Sequence, residues 1–257
     1  MPNDDKDVNR AEENVSGYFS ARRNALRFPK KEIANSIALI SHLWHIIAMK
    51  YERLIEIVGQ EPVFHSSLLR AGQADSVDLG RQLSRWVKSG KLIQLRRGLY
   101  ALSEPHRKIA PHPFFVANRL KRASYVSLQS ALEHHGLIPE YVPSITSVTT
   151  GRPETFSTPL GNFIFKHIKK ELFFGYQRIE LGSGQPAFVA RPEKALLDLF
   201  YLTPGSDDIH YLRELRLQNA GNLDSRLLLE QAHKFESRKV VKAAQRIHSI
   251  VEELQES

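Results

Sequence analysis

The clearest chemistry in this 257-residue chain lies in one short stretch. Arg81, Arg85 and Lys88 recur at i, i+4 and i+7, with Gln82 and Ser84 between them, and Lys91, Arg96 and Arg97 follow. From Leu79 to Ser103 there is no Asp or Glu. On a helix, i and i+4 are neighbours, so like charges there repel and do not stabilise the isolated helix. A row of phosphates removes that penalty, and the major groove of duplex DNA admits one helix. Phosphate contacts position a protein without reading sequence, so base readers are expected among the side chains in the first half of the helix. Gln82 suits adenine, Ser84 is permissive, and Arg81 or Arg85 can address guanine. The competing reading is a solvated surface on a structural or protein-docking module.

Other groupings carry less. His134 and His135 are adjacent on an expected helix and so point in different directions, and no His-Glu-x-x-His pairing occurs. Gly182-Ser183-Gly184 lacks the Lys-Ser/Thr of a phosphate loop and fits a turn between strands. Glu193, Lys194 and Asp198 in PEKALLDL invite an acid/base reading. Yet Pro192 in the first turn and Glu193 near the positive helix end are ordinary helix-start choices. No catalytic set, metal site or cofactor site is expected.

Several elements must position the basic stretch. Tyr51, Leu54, Ile55 and Val58 recur at helical spacing before Gly59, continuing a helix expected from Lys31. Pro62-Val63-Phe64 is short and extended, and Ser66 or Ser67 caps a short helix with Leu68 and Leu69. After a turn containing Gly72, Asp75 or Ser76 caps a helix that runs to Lys88 and stops at Gly90. Its Leu79, Leu83, Trp86 and Val87 form one apolar face opposite the basic one. KLIQL and LYAL around Arg96-Arg97-Gly98 read as a β-hairpin, with Lys91, Arg96 and Arg97 on or beside it. Helix, extended piece, helix, helix and hairpin is the order of a winged helix-turn-helix, expected over residues 49–104.

After Glu104-Pro105 the pattern changes. PFFVANRLKR and SLQSALEHHG read as helices. Ile145/Ser147-Val148, FIFKHI, YQRIEL and AFVA read as strands, and helices return at 192–202, 207–217, 224–235 and 237–254. The expected fold class is therefore α+β, an N-terminal winged helix-turn-helix followed by a mixed α+β domain over 105–257. Residues 1–30 read as a polar, disordered tail and 31–48 as a helical extension. Met49 opens a pattern that is itself a natural beginning, so 1–48 is either an appendage or an over-extended reading frame.

Composition narrows the partners. Lys+Arg number 36 against Asp+Glu 28, a net charge of +8 that favours polyanions. With no cysteine there are no disulfides or thiol zinc sites, and the acidic, polar opening MPNDDKDVNR is unlike a secretory leader, so a cytoplasmic protein is expected. Ile33–Met49 lacks charge but holds Asn35, Ser36, Ser41, His42 and His45, and it falls short of the ~20 apolar residues of a membrane span. It reads as a packed helix or a dimer contact. Basic residues also dot the second domain, Arg119, Lys121, Arg122, Arg152, Lys166, Lys169, Lys170, Arg178 and Arg191; they are candidates to extend a DNA surface or serve a second partner, and a solvated face is the default for any one of them.

Over about residues 49–220 the chain resembles the AbiEi-type antitoxins, transcriptional regulators of bacterial abortive-infection systems. The resemblance rests on LIQLRRGLYAL, YVSLQSALEHHGLIPE (Tyr125 to Glu140), TSVTTGRP, GNFIFKHI with FFGY, and ARPEKALLDLFYL (Arg191 to Leu202), in that order and spacing. It implies a regulator that represses its own operon at operator repeats in double-stranded DNA, with Arg96, Arg97 and Gly98 matching the family's basic wing. It also implies a second domain with antitoxin activity against a nucleotidyltransferase-like toxin, without a stable complex. The PEKALLDL helix matches the family's best-marked second-domain motif, with a mainly structural role. Residues 1–48 are outside the family pattern and leave room for a dimer contact or for occlusion of the DNA face. Two other readings stay open: a winged-helix regulator whose second domain senses a ligand, and an enzyme with a DNA-targeting module.

Overall fold

A computed structural model describes residues 50–70 and 76–256. The expected tail, the helix before Lys50, the Gly72 turn and a cap at Asp75 lie outside the described residues. The first described helix, α1 (Tyr51–Val58), buries Tyr51, Leu54 and Val58, three of the four residues expected at helical spacing, with Ile55 only partly buried. A two-residue strand, β1 (Phe64–His65), leads into a 3-10 turn at Ser66–Arg70. Helix α2 (Ser76–Lys88) follows, with Leu79, Leu83 and Trp86 almost wholly buried. Its end is a Schellman closure. The Lys91 N–H donates to Trp86 O at 2.9 Å, the Gly90 N–H donates to Val87 O at 3.0 Å, and Gly90 takes the left-handed conformation (φ 72°) this requires.

The hairpin is β2 (Leu92–Arg96) and β3 (Leu99–Leu102), and with β1 it makes an antiparallel three-stranded sheet in the order β1-β3-β2. All four residues of β3 are buried, because the sheet is covered on both faces. Leu95 and Leu99, with Val63, join the large apolar core of the residues that follow, while α2 packs on β2.

The remaining elements build a six-stranded mixed sheet flanked by helices. They are α3 (Pro113–Leu120), β4 (Ser124–Val126), α4 (Leu128–His134), β5 (Ser144–Thr149), β6 (Glu154–Thr158), β7 (Gly161–His167), β8 (Tyr176–Glu180), β9 (Pro186–Ala190), α5 (Pro192–Leu202), α6 (Ile209–Glu214), α7 (Ser225–His233) and α8 (Arg238–Glu256). The strand order is β6-β7-β5-β4-β9-β8, with β4–β9 and β5–β7 parallel and the other pairs antiparallel. The class is mixed α+β. Two strands, β4 and β6, were not expected. β4 is short, central and wholly buried, so it lacks the period-2 alternation of a half-exposed strand. β6 is a polar edge strand. Tyr51–Ser257 forms one compact unit, and α5 is packed against α4, α7, α8 and β9.

At the centre of that packing the α5 motif holds a polar group inside the core. Lys194 and Asp198, one turn apart, are both fully buried and form an ion pair. The second Asp198 oxygen accepts from Tyr125 Oη at 2.9 Å and Ser127 Oγ at 2.7 Å. The Lys194 ammonium lies 5.6, 5.0 and 4.9 Å from the ring centroids of Tyr125, Phe174 and Phe235. Burial pushes the Lys194 ammonium below and the Asp198 carboxyl above their ordinary pKa values, each opposed by the partner's charge. Glu193 is also buried and accepts the Asp224 N–H at 2.9 Å, ahead of α7. All three side chains flagged in the sequence as acid/base candidates are thus consumed in structural contacts.

Candidate nucleic-acid interface

Helix α2 presents its polar residues unequally. Arg85, Lys88 and Ser84 are exposed, and Gln82 is half-buried. Arg85 and Lys88 occupy the last turn, where cations also favour the negative helix end, so their placement suits both the fold and an anion. Arg81 is exposed but not free. Its guanidinium lies 3.3 Å from Asp78, a carboxylate in the first turn that the sequence reading left out. The apolar face is as expected, with Val87 only partly buried.

Lys91 follows the helix closure and is held by Tyr51. The Tyr51 hydroxyl donates to Lys91 O at 3.0 Å, and the Lys91 ammonium lies 4.7 Å from the Tyr51 ring centroid. The Tyr51 ring also packs against Trp86 at 5.4 Å, so one side chain ties α1 to α2 and to the start of the hairpin. Burial raises the Tyr51 pKa, keeping its hydroxyl a donor.

The hairpin turns at Arg97-Gly98. Gly98 has φ 80°, a left-handed conformation that favours glycine, and a Cβ there would crowd His65 Nε2 at 3.2 Å. The Ser66 N–H donates to Gly98 O at 2.8 Å and fixes the turn against the 3-10 segment. The strand register shifts between Gln94 and Arg96, a β-bulge that re-aims the side chain beyond it. Adjacent in sequence and expected as a pair, the two arginines are separated. Arg97 is exposed in the turn, while Arg96 is half-buried and lines a cleft with Arg119, Arg122 and Arg178. The structure therefore presents Arg85, Lys88, Lys91 and Arg97 as exposed cations on consecutive elements, with Gln82 and Ser84 just ahead of them on α2, and diverts Arg81 and Arg96 elsewhere. The cleft arginines were visible in the sequence only as scattered charges, since no spacing rule relates them.

His134 and His135 are in structural contacts. His135 Nε2 is 2.8 Å from Ala190 O, and the His134 ring packs on Phe114 at 5.3 Å. Among the described residues no group of three or more His, Asp or Glu is placed to hold a metal ion, and no helix is long and apolar enough to cross a membrane.

No curated protein sequence matches the chain. In three dimensions it is similar to the crystal structure of the RV2827C protein from Mycobacterium tuberculosis, with a TM-score of 0.46 and 16% identity over 78% of this chain and 75% of that one. The segment from Val63 through Ser103, which contains β1, α2 and the hairpin, matches the family model described as "Transcriptional regulator, AbiEi antitoxin" over residues 63–103.

Proposed function

We propose that the chain is a transcriptional regulator of the antitoxin type that binds duplex DNA through a winged helix-turn-helix over residues 49–104. In this reading α2 enters the major groove, with Gln82 and Ser84 as base readers and Arg85, Lys88 and Lys91 on flanking phosphates. The β2–β3 hairpin is the wing, and Arg97 at its tip reaches the backbone or the minor groove. One observation carries the reading. The residues 63–103 matched by the regulator family model are those in which exposed cations follow one another without any carboxylate after Asp78.

The fuller reading follows the resemblance. The chain represses its own operon, and residues 105–257 supply the antitoxin activity that counteracts a nucleotidyltransferase-like toxin, without a stable complex. A homodimer would place two copies of α2 on the half-sites of an operator. The protein works in the cytoplasm and is not a catalyst.

The test is a mobility shift of the full chain on its own upstream duplex and on random duplex at two salt concentrations. Salt-sensitive binding with preference for the upstream duplex is expected. No binding to either duplex by folded protein rejects the reading. A second reading, regulation by a ligand, is favoured by the arginine-lined cleft.

A further inference from the structure

The cleft beside the hairpin has a volume of about 370 Å³, within the range of small-molecule sites. Four arginines from three separated segments converge on it: Arg96 at the end of β2, Arg119 and Arg122 in and after α3, and Arg178 on β8. No carboxylate lines it, and of the four only Arg178 has an acidic partner among the described residues, Glu180 at 2.7 Å on the exposed rim. The Arg96 Nε is buried without a hydrogen-bond partner. Such a donor is costly unless something accepts from it, and four like charges around one concavity repel unless an anion lies between them.

The rest of the lining is mixed, with Val63, Leu99, Phe115, Pro186 and Phe188 apolar or aromatic and His65 and Asn118 polar. Arg119 lies over the Phe115 ring at 4.8 Å, which fixes its guanidinium. Phe188, on β9, is one of the few exposed large apolar side chains, 41% accessible. Its backbone is clamped, since Asn118 Oδ1 accepts the Phe188 N–H at 2.6 Å while Asn118 Nδ2 donates to Ser124 O at 3.3 Å. Guanidinium forks recognise phosphate oxygens in pairs, and an exposed aromatic ring stacks on a nucleobase.

We infer that this cleft binds a free nucleotide carrying two or more linked phosphates, the phosphates among the arginines and the base against Phe188. The site is separate from the outer face of α2 and does not rest on the DNA reading. A duplex backbone offers the same phosphate chemistry, but a concave, partly apolar pocket suits a small ligand with a flat body.

The probe is N-methylanthraniloyl-ADP, followed by fluorescence anisotropy with the full chain. Saturable binding reversed by unlabelled ADP or pyrophosphate, but not by adenosine, is expected. Arg119→Ala with Arg122→Ala should weaken it at least about tenfold, because hydrogen bonds to a charged group are removed. Phe188→Ala should weaken binding of the nucleotide more than that of pyrophosphate. Arg85→Ala, on α2, should leave the affinity within about twofold, since it lies outside the cleft. Circular dichroism confirms folding, and Arg178→Gln at the rim gives an independent variant. No saturable binding, or binding unchanged in all the cleft variants, overturns the inference. So does loss of duplex affinity in the Arg119/Arg122 variant with no nucleotide binding in the parent, which assigns the cleft to the DNA backbone. Nucleotide binding without any duplex binding supports the cleft and rejects the DNA reading alone.

Discussion

The salt dependence of DNA binding should separate two arginines that are neighbours in the chain. Each phosphate neutralised by a cation contributes about 0.9 to the slope of log affinity against log salt. Arg85, Lys88 and Arg97 are exposed and have no carboxylate partner among the described residues, whereas Arg81 faces Asp78 and Arg96 turns into the cleft. Arg97→Ala should therefore flatten the slope by about 0.9, and Arg85→Ala with Lys88→Ala and Arg97→Ala by about 2.7. Between about 50 and 200 mM salt, one such contact corresponds to a factor of roughly 3.5 in affinity and three to roughly 40. Arg96→Ala should change the slope little, although the sequence alone groups it with Arg97 for a combined change of about two units. Anisotropy of a labelled upstream duplex at three salt concentrations measures this directly. A slope in Arg96→Ala as flat as in Arg97→Ala would refute the assignment of these two side chains. An unchanged slope in the triple variant would remove α2 and the hairpin from the interface altogether.

Other perturbations test the scaffold. Asp198→Ala strands the Lys194 ammonium and leaves the Tyr125 and Ser127 hydroxyls without their acceptor, so urea unfolding should show a loss of about 3–5 kcal/mol, and a loss below about 1 kcal/mol would contradict the buried network. Leu83→Ala removes a side chain only 2% exposed and should cost about 2–5 kcal/mol, weakening DNA binding only through stability; a folded variant with lost binding would contradict this. His112 caps α3 by accepting the Phe114 N–H at Nδ1, at 3.2 Å, so His112→Ala should cost about 0.5–2 kcal/mol while His112→Asn retains most of the stability. Burial lowers the pKa of both His112 and His134, so below the ordinary imidazole value the unfolded chain binds protons that the folded chain refuses. Stability is then fully present above about pH 6.5 and falls as the pH drops below it. Urea midpoints measured above and below that value should show the fall, reduced in His112→Asn; an acid loss undiminished in His134→Gln with His112→Asn would reject these two groups as its source.

The features legible in the sequence are those set by local periodicity and chain stops. Leu79, Leu83 and Trp86 at helical spacing, Gly90 after the last turn and Gly98 between two apolar runs gave α2 and the hairpin nearly to the residue. Features set by contact across the chain were not legible. Strand β4 is three residues long and buried on both faces, so no period marks it. Lys194 and Asp198 sit at i and i+4 like any surface pair, and nothing local reveals that Tyr125, Phe174 and Phe235 close over them. The divergence of Arg96 from Arg97 depends on a bulge one residue earlier, which shifts the register without any glycine or proline to announce it.

The three-stranded sheet explains why the candidate interface and the cleft belong to one mechanical unit. Leu95 and Leu99 lie in the core formed with Phe115, Val126 and the six-stranded sheet, while Leu83 and Trp86 are buried with α2 on β2. The hairpin is therefore packed from both sides. Close-packed interiors transmit displacement and do not absorb it. Arg97 at the turn and Arg96 in the cleft share one short, doubly covered hairpin, so a change in the position of Arg96 must also be felt at the turn. Four arginines drawn together by an anion would do this without any flexible linker, and an empty cleft would leave their repulsion to act on the same strand. On this physical basis the buried second face of the hairpin becomes the element through which residues beyond 105 can act on α2 and the Arg97-Gly98 turn.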